Sequence, residues 1–168
     1  MIFRTAKLLI CAFLLTAGSA GATTEIPLGE YGEWKTSLTI GRGKICAART
    51  HKYNVGGLSL SVSEDGRVLL TIYLMAKSTE AMSFDVTLYI DEKEWAFGPR
   101  ESSPGDQMTS FVIMLPRVDA ERFIPDLRRG NVVALLLDGD RPLTWSLYGA
   151  DGAIGRLARC VLEIQTPD

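Results

Sequence analysis

Reactive chemistry usually begins with a histidine, a free thiolate or a pair of carboxylates, so these residues are the first to weigh. His51 is the only histidine of the chain. It lies in Thr50-His51-Lys52-Tyr53, a polar strand end, and no G-x-S-x-G nucleophile elbow accompanies it. A solvated or hydrogen-bonded structural role is expected. The chain has 20 acidic side chains, and its visible clusters are Glu64-Asp65 and Asp91, Glu92 and Glu94. Both fall where hairpin turns are expected, and turn carboxylates normally serve solvation and side chain to backbone hydrogen bonds. Asp138-Gly139-Asp140 lacks the rest of a calcium loop and its terminal glutamate, so it too reads as a turn. The glycines of residues 149–155 (GADGAIG) are spaced G-x-x-G-x-x-G, with no P-loop lysine and with Asp151 placed to repel an anion. Helix-to-sheet packing accounts for them better than phosphate binding. No catalytic residue, cofactor site or metal site is assigned, and the chain is expected not to be an enzyme.

Binding residues are easier to nominate. Lys44, Arg49 and Lys52 beside Tyr53 form one basic-aromatic cluster, suited to an acidic partner or glycan, although a solvated strand accounts for it better. Trp34, Trp95, Trp145, Tyr31 and Tyr148 are many large rings for so small a chain. Trp145 alternates with Thr144 and Ser146 and is expected in the core. Trp34 and Trp95 lie at strand starts beside turns or glycines, where each is either a core ring or an exposed anchor. Trp34, Trp95 and Tyr53 are therefore the candidate partner-binding residues.

The elements that must position them follow an export signal. Residues 1–22 carry Arg4 and Lys7, then an apolar run over 8–16, then Ala20-Gly21-Ala22 as a small-x-small cleavage site; cleavage is expected after Ala22. The run is about nine residues, far short of the roughly twenty that span a bilayer. A lipoprotein reading at Cys11 is disfavoured by bulky Ile10 before it. The net charge of −2 becomes −4 once Arg4 and Lys7 leave, with both signs scattered, so neither nucleic acid nor stable membrane insertion is expected. What remains, 23–168, fits one hydrophobic core and a periplasmic or secreted location.

Cleavage would also take Cys11, leaving Cys46 and Cys160. An oxidising compartment favours pairing them, free thiols or a metal or redox site being the rivals.

Strand signals dominate the remaining chain. Residues 23–32 read as a lead-in, 34–40 and 44–53 as strands, and 58–63 with 68–74 as a hairpin closed by Asp65-Gly66. The cleanest alternation puts Met82, Phe84, Val86, Leu88 and Ile90 on one face of a strand. Residues 98–106 (GPRESSPGD) read as a loop, 108–115 as a strand ended by Pro116, and 131–137 with 143–147 as a strand pair turned at Asp138-Gly139. A first helix is expected with Asp119 as its N-cap and Gly130 in a left-handed closing conformation, regular mainly from Pro125 onward. A second is expected to be capped by Asp151, with Ile154, Leu157, Ala158 and Val161 as one apolar stripe and Cys160 at its edge.

The carboxyl half, with Leu127-Arg-Arg-Gly130, an apolar strand, then Trp145-Ser-Leu-Tyr-Gly149 and a helix containing Ala153 and Leu157, resembles the exported invasion-associated locus B family of alphaproteobacteria. Gly32-Glu33-Trp34 is similar to that family's early Gly-Asp-Trp. The family's central cysteine pair is missing here, and Cys160 is an addition. The resemblance implies a periplasmic or envelope-associated β protein with a host-interaction role in some members, and brings no catalytic residue.

Together these readings predict an α+β domain of mainly antiparallel strands, a β-sandwich or curved sheet with two short helices packed on it. The expected function is binding of a protein or envelope component. A small inhibitor of an envelope-directed hydrolase such as lysozyme, using loops 98–106 and 138–142, is the alternative.

Overall fold

The computed structural model describes residues 23–166; the expected signal peptide at 1–22, with Cys11, lies outside the described residues. Among the described residues ten strands and two helices follow one another, β1 (Thr24–Tyr31), β2 (Trp34–Ile40), β3 (Lys44–Lys52), β4 (Gly56–Ser63), β5 (Val68–Leu74), β6 (Ser83–Ile90), β7 (Lys93–Glu101), β8 (Thr109–Leu115), α1 (Arg117–Arg129), β9 (Val132–Leu137), β10 (Leu143–Ser146) and α2 (Ala150–Gln165). All ladders are antiparallel, in a six-stranded sheet ordered β1-β2-β3-β4-β5-β8 and a four-stranded sheet ordered β10-β9-β6-β7. This is the sandwich-like α+β arrangement that the alternation predicts.

The period-2 pattern decides which face is dry. Trp34, Cys46, Ala48, Leu58, Leu60, Leu70, Ile72, Phe111 and Ile113 line the inner face of the larger sheet and are buried. Val86, Leu88 and Ile90 answer from β6, although Met82, assigned to the same face, is exposed and precedes the strand. Phe84 meets Phe111 edge-on with ring centroids 5.7 Å apart, joining the two sheets.

Helix α2 lies across β1 to β4 and buries Ala150, Ala153, Ile154, Leu157 and Cys160. Cys160 is bonded to Cys46, their Cα atoms 6.0 Å apart, so the last helix is fastened to the middle of the larger sheet. Helix α1 buries Ala120, Phe123 and Leu127 and is tied to α2 by Arg128, whose Nε donates to the Asp151 carboxylate at 2.8 Å.

Several local expectations are corrected. The lead-in is a true strand, β1, whose Pro27 sits at a register shift on a sheet edge, where a missing N–H costs no ladder bond. Half of the expected 98–106 loop belongs to β7, also an edge strand, with Gly98 at φ +69 beside a register shift. Helix α1 starts at Arg117 after Pro116 and runs continuously through Pro125, with Asp119 in its first turn rather than at its cap. Gly130 is extended, and a Cβ there would collide with Ile90 and Leu147; close packing, not a left-handed turn, requires glycine. Gly149, at φ +92, precedes α2 in place of Asp151, which is instead engaged by Arg128.

Candidate functional site

Three connections converge at one end of the sandwich. Register pairs Lys52 with Gly56, which leaves Tyr53, Asn54 and Val55 as the β3–β4 turn, with Asn54 at φ +58. Trp145 of β10 is buried, and its Nε1–H donates to the Gly56 carbonyl at 3.0 Å, binding the smaller sheet to the start of β4. The Lys52 ammonium reaches the Thr144 carbonyl at 3.5 Å from the same turn. After β10 the chain turns into α2 through Leu147, Tyr148 and Gly149. Glu33 in the β1–β2 turn donates its N–H to the Tyr148 carbonyl at 3.2 Å, and a Cβ on Gly32 would strike the Tyr148 ring. Gly149 in turn lies directly against the Tyr31 carbonyl, and the Tyr31 ring covers Gly152.

The result is a stiff base carrying two displayed rings. Tyr53 is 83% exposed and Tyr148 is 74% exposed. A phenol offers an apolar face and a hydrogen-bonding tip for two side-chain torsions of entropy, which is why tyrosine serves well as an interface anchor. Lys52 adds a cation and Glu33 an anion at the same end. Such a surface can bind.

The nominated residues separate on inspection of their surroundings. Tyr53 stands on the surface. Trp34 is fully buried beneath the same end, opposite Thr50 in the β2–β3 ladder, so its candidacy as a partner-binding residue is corrected: the inner face of β2 directs the ring into the core. Trp95 is half-buried, edge-on to Phe123 at 5.1 Å, with Lys93 Nζ and Arg122 Cζ 5.2 and 5.9 Å from its ring centroid. It joins β7 to α1, a contact reinforced by the Lys93–Asp126 ion pair at 2.6 Å. Tyr148 was no candidate, and only its place between Ser146 and Gly149, at a strand-to-helix junction, signals it.

The residues weighed for chemistry occupy structural positions. Asp91, at φ +53, accepts the N–H groups of Asn131 and Val132, each at 3.0 Å, and these bonds hold its carboxyl below the ordinary aspartate range. Glu94 accepts the Tyr89 hydroxyl at 2.9 Å, which pushes the phenol up. Glu64 accepts the Lys44 N–H, and Asp65 is lowered chiefly by the Ser63 hydroxyl. Asp138, at φ +51 in its turn, accepts the Asp85 N–H at 2.7 Å. His51 is exposed and faces Gly57 across the ladder, so pairing brings no side chain opposite it. The basic cluster disperses: Arg49 is held by Ser37 and Glu25, whereas Lys52 turns toward Thr144. Among the described residues no group of three His, Cys, Asp or Glu is placed to hold a metal ion. None of the helices described is long and apolar enough to cross a membrane.

The fold is similar to that of a solved structure, invasion associated protein B from Bartonella henselae. The two chains are 21% identical, the TM-score is 0.59, and the likeness covers 82% of this chain and 98% of the Bartonella one. No family model matches the chain, and no curated protein does.

Proposed function

We propose that this chain is an exported, non-enzymatic envelope protein that binds a protein or envelope component through the end bearing Tyr53 and Tyr148. The observation that carries the reading is the display of two large rings on turns tied down by the Glu33–Tyr148, Trp145–Gly56 and Lys52–Thr144 hydrogen bonds. Anchors of this kind dominate binding energy when they enter a partner's pocket, because little entropy is lost in fixing them. The Cys46–Cys160 bond supports an oxidising compartment, since such bonds persist chiefly outside the cytoplasm. The shared fold with a protein named for its association with invasion supports work at the envelope or beyond it. The inhibitor alternative is less well supported. The first of its two expected loops is half strand, and Ser102 is buried and bonded to Met82 through both its N–H and its hydroxyl.

Cross-linking in whole cells, followed by affinity recovery, tests the proposal with the parent protein and a Tyr53→Ala, Tyr148→Ala variant side by side. A defined partner recovered with the parent and reduced at least tenfold with the variant is the expected outcome. Both side chains are exposed, so the variant keeps its melting temperature. Recovery of the same partner in equal amount by both proteins removes the tyrosine end as the binding surface.

A further inference from the structure

Helices α1 and α2 are tied together at one end, where Arg128 in the last turn of α1 donates to Asp151 in the first turn of α2. Their other ends stand over different strands. The Gln165 side-chain amide of α2 donates to the Glu64 carbonyl beyond β4 at 3.4 Å, whereas α1 starts two residues after β8, and β5 lies between β4 and β8. The helices thus border a cleft to which the sheet contributes Val62 and Val68, partners in the β4–β5 ladder.

Two hollows of about 570 and 310 Å³ make up this cleft, and they meet at Ile124, which lines both. Such volumes fall in the range of small-molecule sites. The smaller hollow is apolar throughout, with Leu157, Ala158, Val161 and Leu162 of α2 along one wall. The larger adds Val68, Met114, Leu115 and Ala120, and it is bordered by Arg67, Arg117 and Glu121, two cations and one anion, for a net charge of +1. Leu162 and Met114 are 65% and 60% exposed, so the lining gains from being covered.

Register brings the two arginines to one place: Arg67 directly precedes Val68, whose partner Leu115 lies two residues before Arg117. Each guanidinium is held at its Nε, Arg67 by Asp65 at 2.7 Å and Arg117 by Glu121 at 2.9 Å. Among the described residues no hydrogen bond engages the Nη groups of either. Two anchored forks with open amino groups match the planar oxygens of a carboxylate.

We infer that the cleft takes a free fatty acid, with its carboxylate between Arg67 and Arg117 and its acyl chain running past Ile124 along Leu157, Ala158 and Leu162. Polar groups stand at one end and none line the other, which is the pattern of an anionic amphiphile. An extended peptide laid in the smaller hollow would bury backbone N–H and C=O groups against side chains that offer them no partner. A helix satisfies its own backbone, but a single turn, about 10 Å across and about 5.4 Å long, exceeds that hollow. An acyl chain has nothing to satisfy, and each methylene it buries adds affinity.

Titration of the exported, disulfide-intact protein with decanoate, followed by amide chemical shifts, tests the assignment. Ala120, Ile124 and Ala158 should move on one binding curve with a Kd on the order of 100 μM, and hexanoate should bind at least about tenfold more weakly. Arg67→Gln, Arg117→Gln should weaken decanoate at least about tenfold and leave decanol binding unchanged. Ala158→Phe, at an exposed position, should fill the narrow hollow and weaken both ligands at least about tenfold. Absence of shifts at millimolar decanoate overturns the inference, as does equal decanoate binding by the glutamine variant or by Ala158→Phe. Should a variant misfold, the position of the shifts and their dependence on chain length in the parent decide alone. Shifts of those three amides with protein concentration, alongside a dimer in sedimentation, would give the cleft to a second copy and sink the fatty acid. A decanoyl lysophospholipid that binds there at least tenfold tighter than decanoate would likewise displace the free acid as occupant. The cleft lies at the end of β4 and Tyr53 before its start, so failure here leaves the tyrosine reading untouched.

Discussion

Asp91 shows how much a single turn residue can hold. Its backbone takes a left-handed conformation that aspartate tolerates, and its own N–H donates to the Val132 carbonyl at 2.9 Å while its carboxylate receives Asn131 and Val132. One residue thus docks the β6–β7 turn on the start of β9. Because folding lowers its pKa, the carboxylate contributes stability that is fully present above the ordinary aspartate value of 3.8 and is lost as pH falls through the folded value. Asp91→Ala should therefore melt below the parent near pH 7, and the gap should narrow at about pH 3. Thermal melts at the two pH values decide it; a gap of equal size at both would show that the carboxylate charge is irrelevant. Glu64, Asp65, Asp91 and Glu92 were legible as turn residues from their neighbours alone, whereas Glu94, expected in the same turn, lies in β7 and is paired with Tyr89. The fates of Trp34 and Trp95 were not, because burial of a ring at a strand start depends on which face the ladder register turns inward.

At the scale of elements, strands with strict alternation were readable and the edge strands β1 and β7 were not. β6 and β8 carry their own pattern, whereas β1 and β7 contain proline, glycine and charge that lower any strand signal and that only an edge position makes harmless. Two caps were misread for a related reason: Gly130 closes α1 as expected but is extended, and Gly149 stands before α2 in place of Asp151, because each glycine answers to neighbours distant in sequence, Ile90 and Leu147 in one case and Tyr31 in the other. The fastening of α2 was legible from cysteine arithmetic. Its loop closes over a separation of 114 residues, for which chain entropy gives at most about 4 to 5 kcal/mol of stabilisation. Cys46→Ser, Cys160→Ser should accordingly lower unfolding free energy by about 2 to 5 kcal/mol. The two serines would replace buried sulfurs, so part of that loss is polar burial. Hydrogen exchange separates the contributions, since loss of the tether should deprotect α2 before the β3–β4 ladder. Equal loss of protection in both would mean that the bond stabilises the sheet core rather than the docking of the helix.

For the whole molecule, the question is whether the expected export signal and the fold meet without overlap. β1 begins at Thr24, its first residue paired with Ile40, two positions beyond the expected cleavage after Ala22. A cut there spares every residue of the ladder, and a cut even three residues later would remove the Thr24–Ile40 and Glu25–Thr39 pairs. The tyrosine end is equally a property of the whole: it exists only because register brings the β1–β2 turn, the β3–β4 turn and the β10–α2 junction together, and no local window of sequence contains that information. Expression of the full chain in a bacterial host should yield a periplasmic protein whose mature mass begins at Thr23 and lies two hydrogens below the reduced value. Deleting residues 2–22 should leave it in the cytoplasm, reduced and less stable, because thiols there are kept from pairing. Intact-mass spectrometry of each fraction distinguishes the outcomes. A full-length chain retained in the cytoplasm with both cysteines free would overturn export, and with it the reason to place the tyrosine end before an envelope partner.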